Sequence, residues 1–199
     1  MMFALRANDV VFMKGKHHII DREAIYITPQ NKKRKETPMN ACQTNYYNLC
    51  SQLRSLISGV PYLTADLANA AALLFSELPD LNWVGFYFLK GNVLVLGPFQ
   101  GKTACIEIPV GKGVCGTAAQ KNETQLVPDV HLFPGHIACD SESRSEIVVP
   151  IRQNGKPIAV LDLDSPVAGR FTEADRDGLE QIARILEEEC GNLLGKELP

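Results

Sequence analysis

Residues 146–163 hold the strongest folding constraint in the chain. Two apolar, β-branched runs, 146–151 and 158–163, flank Gln153-Asn154-Gly155-Lys156, and Asn-Gly supplies the positive backbone angles that a two-residue hairpin turn requires. A second pair stands upstream: the aromatic run 83–89, the turn Lys90-Gly91-Asn92, and Val93-Leu94-Val95-Leu96. Hairpins impose antiparallel pairing, and residues 104–108 (Ala104-Cys105-Ile106-Glu107-Ile108) extend the pattern as a further strand. Helical periodicity frames these strands. Tyr46, Leu49, Cys50, Leu53, Leu56 and Ile57 recur at three- and four-residue spacing over 44–58 before Gly59, and an Ala/Leu-rich helix spans 63–78 and stops at Pro79-Asp80. Thr172 caps a long closing helix with Glu173 and Asp175 in its first turn. The order predicts an α+β domain on a single antiparallel sheet, flanked by N- and C-terminal helices that cover one face.

Composition locates the boundary of that domain. Residues 1–39 hold eight Lys or Arg against four acids and all four methionines, which leaves a charge of −7 on the remainder of a chain of net charge −3. An acidic domain is a poor partner for nucleic acid, which is bound by neutralising phosphates. The break predicts an extension, 1–38, outside the fold, either disordered or produced by a translation start set upstream of Met39, with the folded domain over 39–199. Neither a secretory signal nor an apolar run long enough to span a bilayer is evident. A reducing, cytoplasmic setting follows, in which cysteines are more often reactive, metal-bound or merely buried than structurally paired.

Three of the six cysteines, Cys105, Cys115 and Cys139, fall within thirty-five positions and on different segments. Their spacing lacks the close Cys-x-x-Cys pairs of structural zinc sites, so no metal is assigned. Burial as small hydrophobes explains Cys115, next to Val114, but explains Cys139 poorly, because Gly135-His136-Ile137-Ala138-Cys139-Asp140 is loop-like. Thiol redox chemistry is the other explanation; it needs an accessible thiolate and a second thiol within reach. The glycine-rich run Val110-Gly111-Lys112-Gly113-Val114-Cys115-Gly116 leads into a short helix but matches neither dinucleotide nor P-loop spacing. Asp162 and Asp164 lie two apart on one strand, with Glu146 on its neighbour. Three carboxylates on one patch repel unless a cation or shared protons sit among them, whereas the opposite alternation turns both aspartates to solvent. Trp83 and Tyr87 share one strand face, either as core or as the wall of a cavity.

Taken together, 83–87, 94–101, 110–116, 136–139, 145–150 and 160–165 resemble the free methionine-(R)-sulfoxide reductases, a GAF-domain family, over about Asn45 to Leu186. The resemblance implies a GAF-like fold and reduction of free L-methionine-(R)-sulfoxide, not of the oxidised residue within proteins. It further implies that Cys139 is the nucleophile, giving methionine and a sulfenic acid, that Cys105 resolves this as a disulfide, and that Cys115 is an alternative resolving thiol. Glu146, Asp162 and Asp164 would bind substrate, and Trp83 and Tyr87 would pack around its methyl group. No bound cofactor is implied; thioredoxin is the expected reductant. The two terminal amphipathic helices suggest a homodimer. The rival expectations are a GAF-type sensory module that binds a small molecule without catalysis and a thiol-based oxidant sensor.

Overall fold

A computed structural model of the chain describes residues 45–135, 137 and 140–197. The proposed extension 1–38 lies outside them, as do His136 and Cys139. The elements run α1 (Tyr46–Ile57), α2 (Leu63–Glu77), β1 (Trp83–Lys90), β2 (Val93–Gly101), β3 (Glu107–Pro109), α3 (Gly113–Lys121), β4 (Gln125–Val127), a 3-10 turn (Val130–Leu132), β5 (Ser145–Gln153), β6 (Lys156–Ser165) and α4 (Glu173–Glu197). The six strands form one antiparallel sheet in the order β3-β2-β1-β6-β5-β4. The hairpin anticipated at Asn154-Gly155 is there, with positive φ at both residues (52° and 76°).

Local chemistry sets the helix ends. The Asn45 side chain accepts from the Asn48 amide at the start of α1, and Gly59 follows the helix at φ 69°. At α4, Asp175 Oδ2 accepts from both the amide and the hydroxyl of Thr172, a reciprocal cap that also uses the Thr172 hydroxyl as acceptor for the Asp175 amide.

The sheet is buried on both sides, and its strands alternate between two cores. Val84, Phe86, Ile147, Val149, Leu161 and Leu163 meet α1, α2 and α4. Trp83, Tyr87, Val148 and Val160 point the other way and meet α3 through Val114, Cys115, Ala118 and Ala119. The N- and C-terminal helices share one face, as expected, and the short α3 covers the opposite one. A short helix with a small apolar stripe declares that it is buried without declaring on which side.

Other boundaries moved for identifiable reasons. Strand β2 continues through Gly97-Pro98, where a bulge opposite Gly85 to Tyr87 accommodates the proline. Cys105, expected within a strand, precedes β3 in a loop, where its carbonyl accepts from the Tyr87 hydroxyl (3.0 Å). Cys190 lies inside α4, fully buried in the larger core with Sγ 3.9 Å from Asp66 Oδ2. None of the described helices is long and apolar enough to cross a membrane.

Candidate active site

The smaller core does not close completely. It leaves a cleft open to solvent, with Trp83 and Tyr87 along one side and Cys115, Glu146, Asp162 and Asp164 among its lining. Strand β1 supplies the aromatic wall. The Trp83 ring stacks between Tyr87 (centroids 5.9 Å apart) and Phe99 (5.4 Å). Gly85, between them on the same strand face, leaves the room: a Cβ there would stand 2.4 Å from the far edge of the Trp83 indole and 2.5 Å from Phe99 Cβ. The polar tips of both aromatics hold the loop that bears Cys105. Trp83 Nε1 donates to the Lys102 carbonyl (3.1 Å) and the Tyr87 hydroxyl to that of Cys105 (3.0 Å).

The β5–β6 register collects the acids. Glu146 stands opposite Asp164, and Asp162 lies two residues along β6 on the same side. Glu146 and Asp162 are each 6% exposed and Asp164 is half-buried. Burial is the leading cause that pushes all three carboxyls up, and their mutual charges add to it for Glu146 and Asp164. Asp162 is raised to about 7, restrained by hydrogen bonds from Cys115 and Glu146. The cluster therefore retains protons near neutrality. Asp162 Oδ1 is nonetheless buried with no hydrogen-bond partner among the described residues. Cys115, in the first turn of α3, sits with Sγ 4.0 Å from Glu146 Oε1; burial, then the charges of Asp162 and Glu146, hold its thiol well above the usual range.

A second set of polar groups closes the cleft's rim. Asn82 Nδ2 donates to Asp140 Oδ2 (3.2 Å) and Ser143 Oγ (3.0 Å), and Lys102 Nζ pairs with Asp140 Oδ2 (3.3 Å) and with Glu142. The Glu142 amide is the main cause that holds the Asp140 carboxyl below its ordinary range.

Residues 62–189 match the GAF domain model. Over 142 residues the chain is 53% identical to a free methionine-R-sulfoxide reductase of Escherichia coli K12, an alignment that spans 71% of this chain and 86% of that protein. It is 50% identical over 133 residues to the Saccharomyces cerevisiae protein of the same name, spanning 63% and 74% of the two chains. The chain belongs to the free methionine-(R)-sulfoxide reductase family. A structure described as fRMsr of Staphylococcus aureus in complex with substrate superimposes with a TM-score of 0.71 at 52% identity, covering 74% of this chain and 96% of that one.

In this family member, the fold brings Trp83, Tyr87, Cys115, Glu146, Asp162 and Asp164 onto one cleft. The solvent-facing alternative for the two aspartates is excluded. Cys105 is half-buried against the same core. Cys139 falls outside the described residues, while Ile137 and Asp140, close to it in sequence, line the cleft. Asn82, Lys102, Asp140 and Ser143 were missed by sequence reasoning. Nothing in their spacing marks them, because their pairings join the start of β1 to two separate loops.

Proposed function

We propose that this protein reduces free L-methionine-(R)-sulfoxide to L-methionine, using thiol chemistry at this cleft and no bound cofactor. The observation that carries the proposal is the buried Asp162 Oδ1, without a hydrogen-bond partner among the described residues, within an acidic cluster beside the aromatic wall. A buried acceptor of this kind calls for a donor from the ligand, and the ammonium of a free amino acid supplies one. A methionine residue inside a polypeptide has no such ammonium. Trp83 and Tyr87 would enclose the S-methyl end and exclude water.

The chemistry then runs from Cys139. A sulfoxide is a poor electrophile until its oxygen is protonated, and a carboxyl kept neutral by burial, such as Glu146, donates that proton. The Cys139 thiolate attacks sulfur, the oxygen passes to Cys139 as sulfenic acid, and methionine leaves. Cys105 attacks the sulfenic sulfur, water departs, and a Cys105–Cys139 disulfide results. The dithiol of thioredoxin reduces this disulfide and is itself oxidised. Cys105 suits the resolving role better than Cys115, since attack requires a thiolate and burial among carboxylates disfavours one at Cys115.

Thioredoxin-coupled NADPH oxidation with the R and S epimers tests this reading, with Cys139→Ser beside the parent. Turnover on the R epimer alone, abolished by the substitution, is the expected result. No turnover by fully reduced parent protein would instead assign the cleft to ligand binding without catalysis.

A further inference from the structure

Cys115 is the pocket thiol to which the reaction above gives no step. Its Sγ and one carboxylate oxygen each from Glu146 and Asp162 lie within 4.8 Å of one another, and all three side chains are buried. The donors come from α3, β5 and β6, so each is fixed by its own packed element. Two further observations point to a cation here. Asp162 Oδ1 has no hydrogen-bond partner among the described residues, and no Lys, Arg or His is among the described residues that line the cleft. A buried acceptor atom left without a donor is costly and is satisfied by a bound cation.

The thiol decides what kind of cation. Oxygen donors alone would suit magnesium or calcium, whereas sulfur favours thiophilic ions such as Zn²⁺ and Cd²⁺. Zinc–sulfur and zinc–oxygen bonds of about 2.3 and 2.1 Å place tetrahedral donors roughly 3.5 Å apart. The three donors therefore need to draw in by only about an ångström, within the reach of side-chain adjustment. Because the donors line the cleft, a fourth position facing it would stay open to water or to a ligand, as in zinc sites that are not purely structural. The spacing 115, 146, 162 carries no Cys-x-x-Cys signature, so the sequence gives no hint of it.

We propose that Cys115, Glu146 and Asp162 form a site for a thiophilic divalent ion, with Zn²⁺ as the type ion, and that the ion and a free amino acid compete for the cleft. The proposal holds whether or not the protein reduces sulfoxides, because it concerns binding alone. The test is Zn²⁺ competition against a chromophoric chelator, using full-length reduced protein that carries Cys105→Ser and Cys139→Ser so that neither thiol contributes. Adding Cys115→Ser or Asp162→Asn is expected to weaken zinc binding roughly a hundredfold or more. With Cd²⁺, the near-ultraviolet thiolate-to-metal band should appear in the parent and in Asp162→Asn at higher metal, and vanish with Cys115→Ser. Free methionine should raise the apparent zinc dissociation constant. If Cys115→Ser fails to fold, the Asp162→Asn titration and the parent cadmium spectrum decide alone. Failure to bind zinc, or an affinity indifferent to both substitutions, overturns the proposal.

Discussion

Asp162 is the residue at which stability and ligand recognition pull in opposite directions. Its carboxyl is raised from an ordinary 3.8 to about 7 in the fold. Between those values the folded chain holds a proton that the unfolded chain has released, so stability is present in acid and is lost as pH rises from about 4 through 7. Above that window the buried charge costs a few kcal/mol. Asp162→Asn removes the charge, so this variant should be more stable than the parent at pH 8 and show a smaller advantage at pH 5, while binding free methionine more weakly. Urea unfolding at the two pH values measures the first part; a parent that is the more stable at pH 8 would mean that the carboxylate is already compensated. Cys115 offers a second test at this scale. Being 3% exposed and held as a thiol, it should alkylate more slowly than half-buried Cys105 when native protein is treated with iodoacetamide and mapped by mass spectrometry.

At the scale of elements, β1 acts as a bracket. Its two aromatic tips tie down the Cys105 loop while their rings form the pocket wall. Tyr87→Phe keeps the ring and releases the loop; it should cost about 1 kcal/mol of stability, lower kcat several-fold by slowing disulfide formation, and leave KM near the parent's. Gly85→Ala should be more damaging, since the indole it would strike is stacked on two rings and hydrogen-bonded at its nitrogen, and so cannot swing aside. A loss of about 1–3 kcal/mol is expected from such overpacking, and because Trp83 is the sole tryptophan its fluorescence reports the displacement. Gly178 in α4 presents a contest of magnitudes: alanine would gain roughly 1 kcal/mol of helix propensity, yet its Cβ would stand 2.2 Å from the Tyr46 ring. That ring carries the hydroxyl bonded to Asp175 (2.9 Å), so the clash should win and thermal unfolding should occur at lower temperature.

Much of this element pattern was legible beforehand. Both hairpins and the three long helices follow from turn chemistry and periodicity, and alternation paired Trp83 with Tyr87 and Asp162 with Asp164. What alternation could not supply was the direction each pair faces. In a sheet buried on both sides, polar residues at every second position read equally well as solvent-facing or site-facing, and the difference is set by α3, whose own sequence is silent about its side. The loop position of Cys105 was hidden for a related reason: its carbonyl's partner is a hydroxyl eighteen residues away.

For the molecule as a whole, the GAF match, residues 62–189, lies within the part of the chain that follows the composition break at Met39. We therefore expect protein begun at Met39 to melt at the same temperature as the full chain and to turn over the R epimer at the same rate; a lower melting temperature would give residues 1–38 a structural role. The two cores on either side of the sheet have a further consequence. Because adjacent residues of β1, β5 and β6 serve different cores, a change at Trp83, Glu146 or Asp162 reshapes the pocket while Val84, Ile147 and Leu161 keep the scaffold intact. Such a chain can drift toward new ligands one strand position at a time, its evolvability resting on the separation of the face that holds it together from the face that meets the outside world.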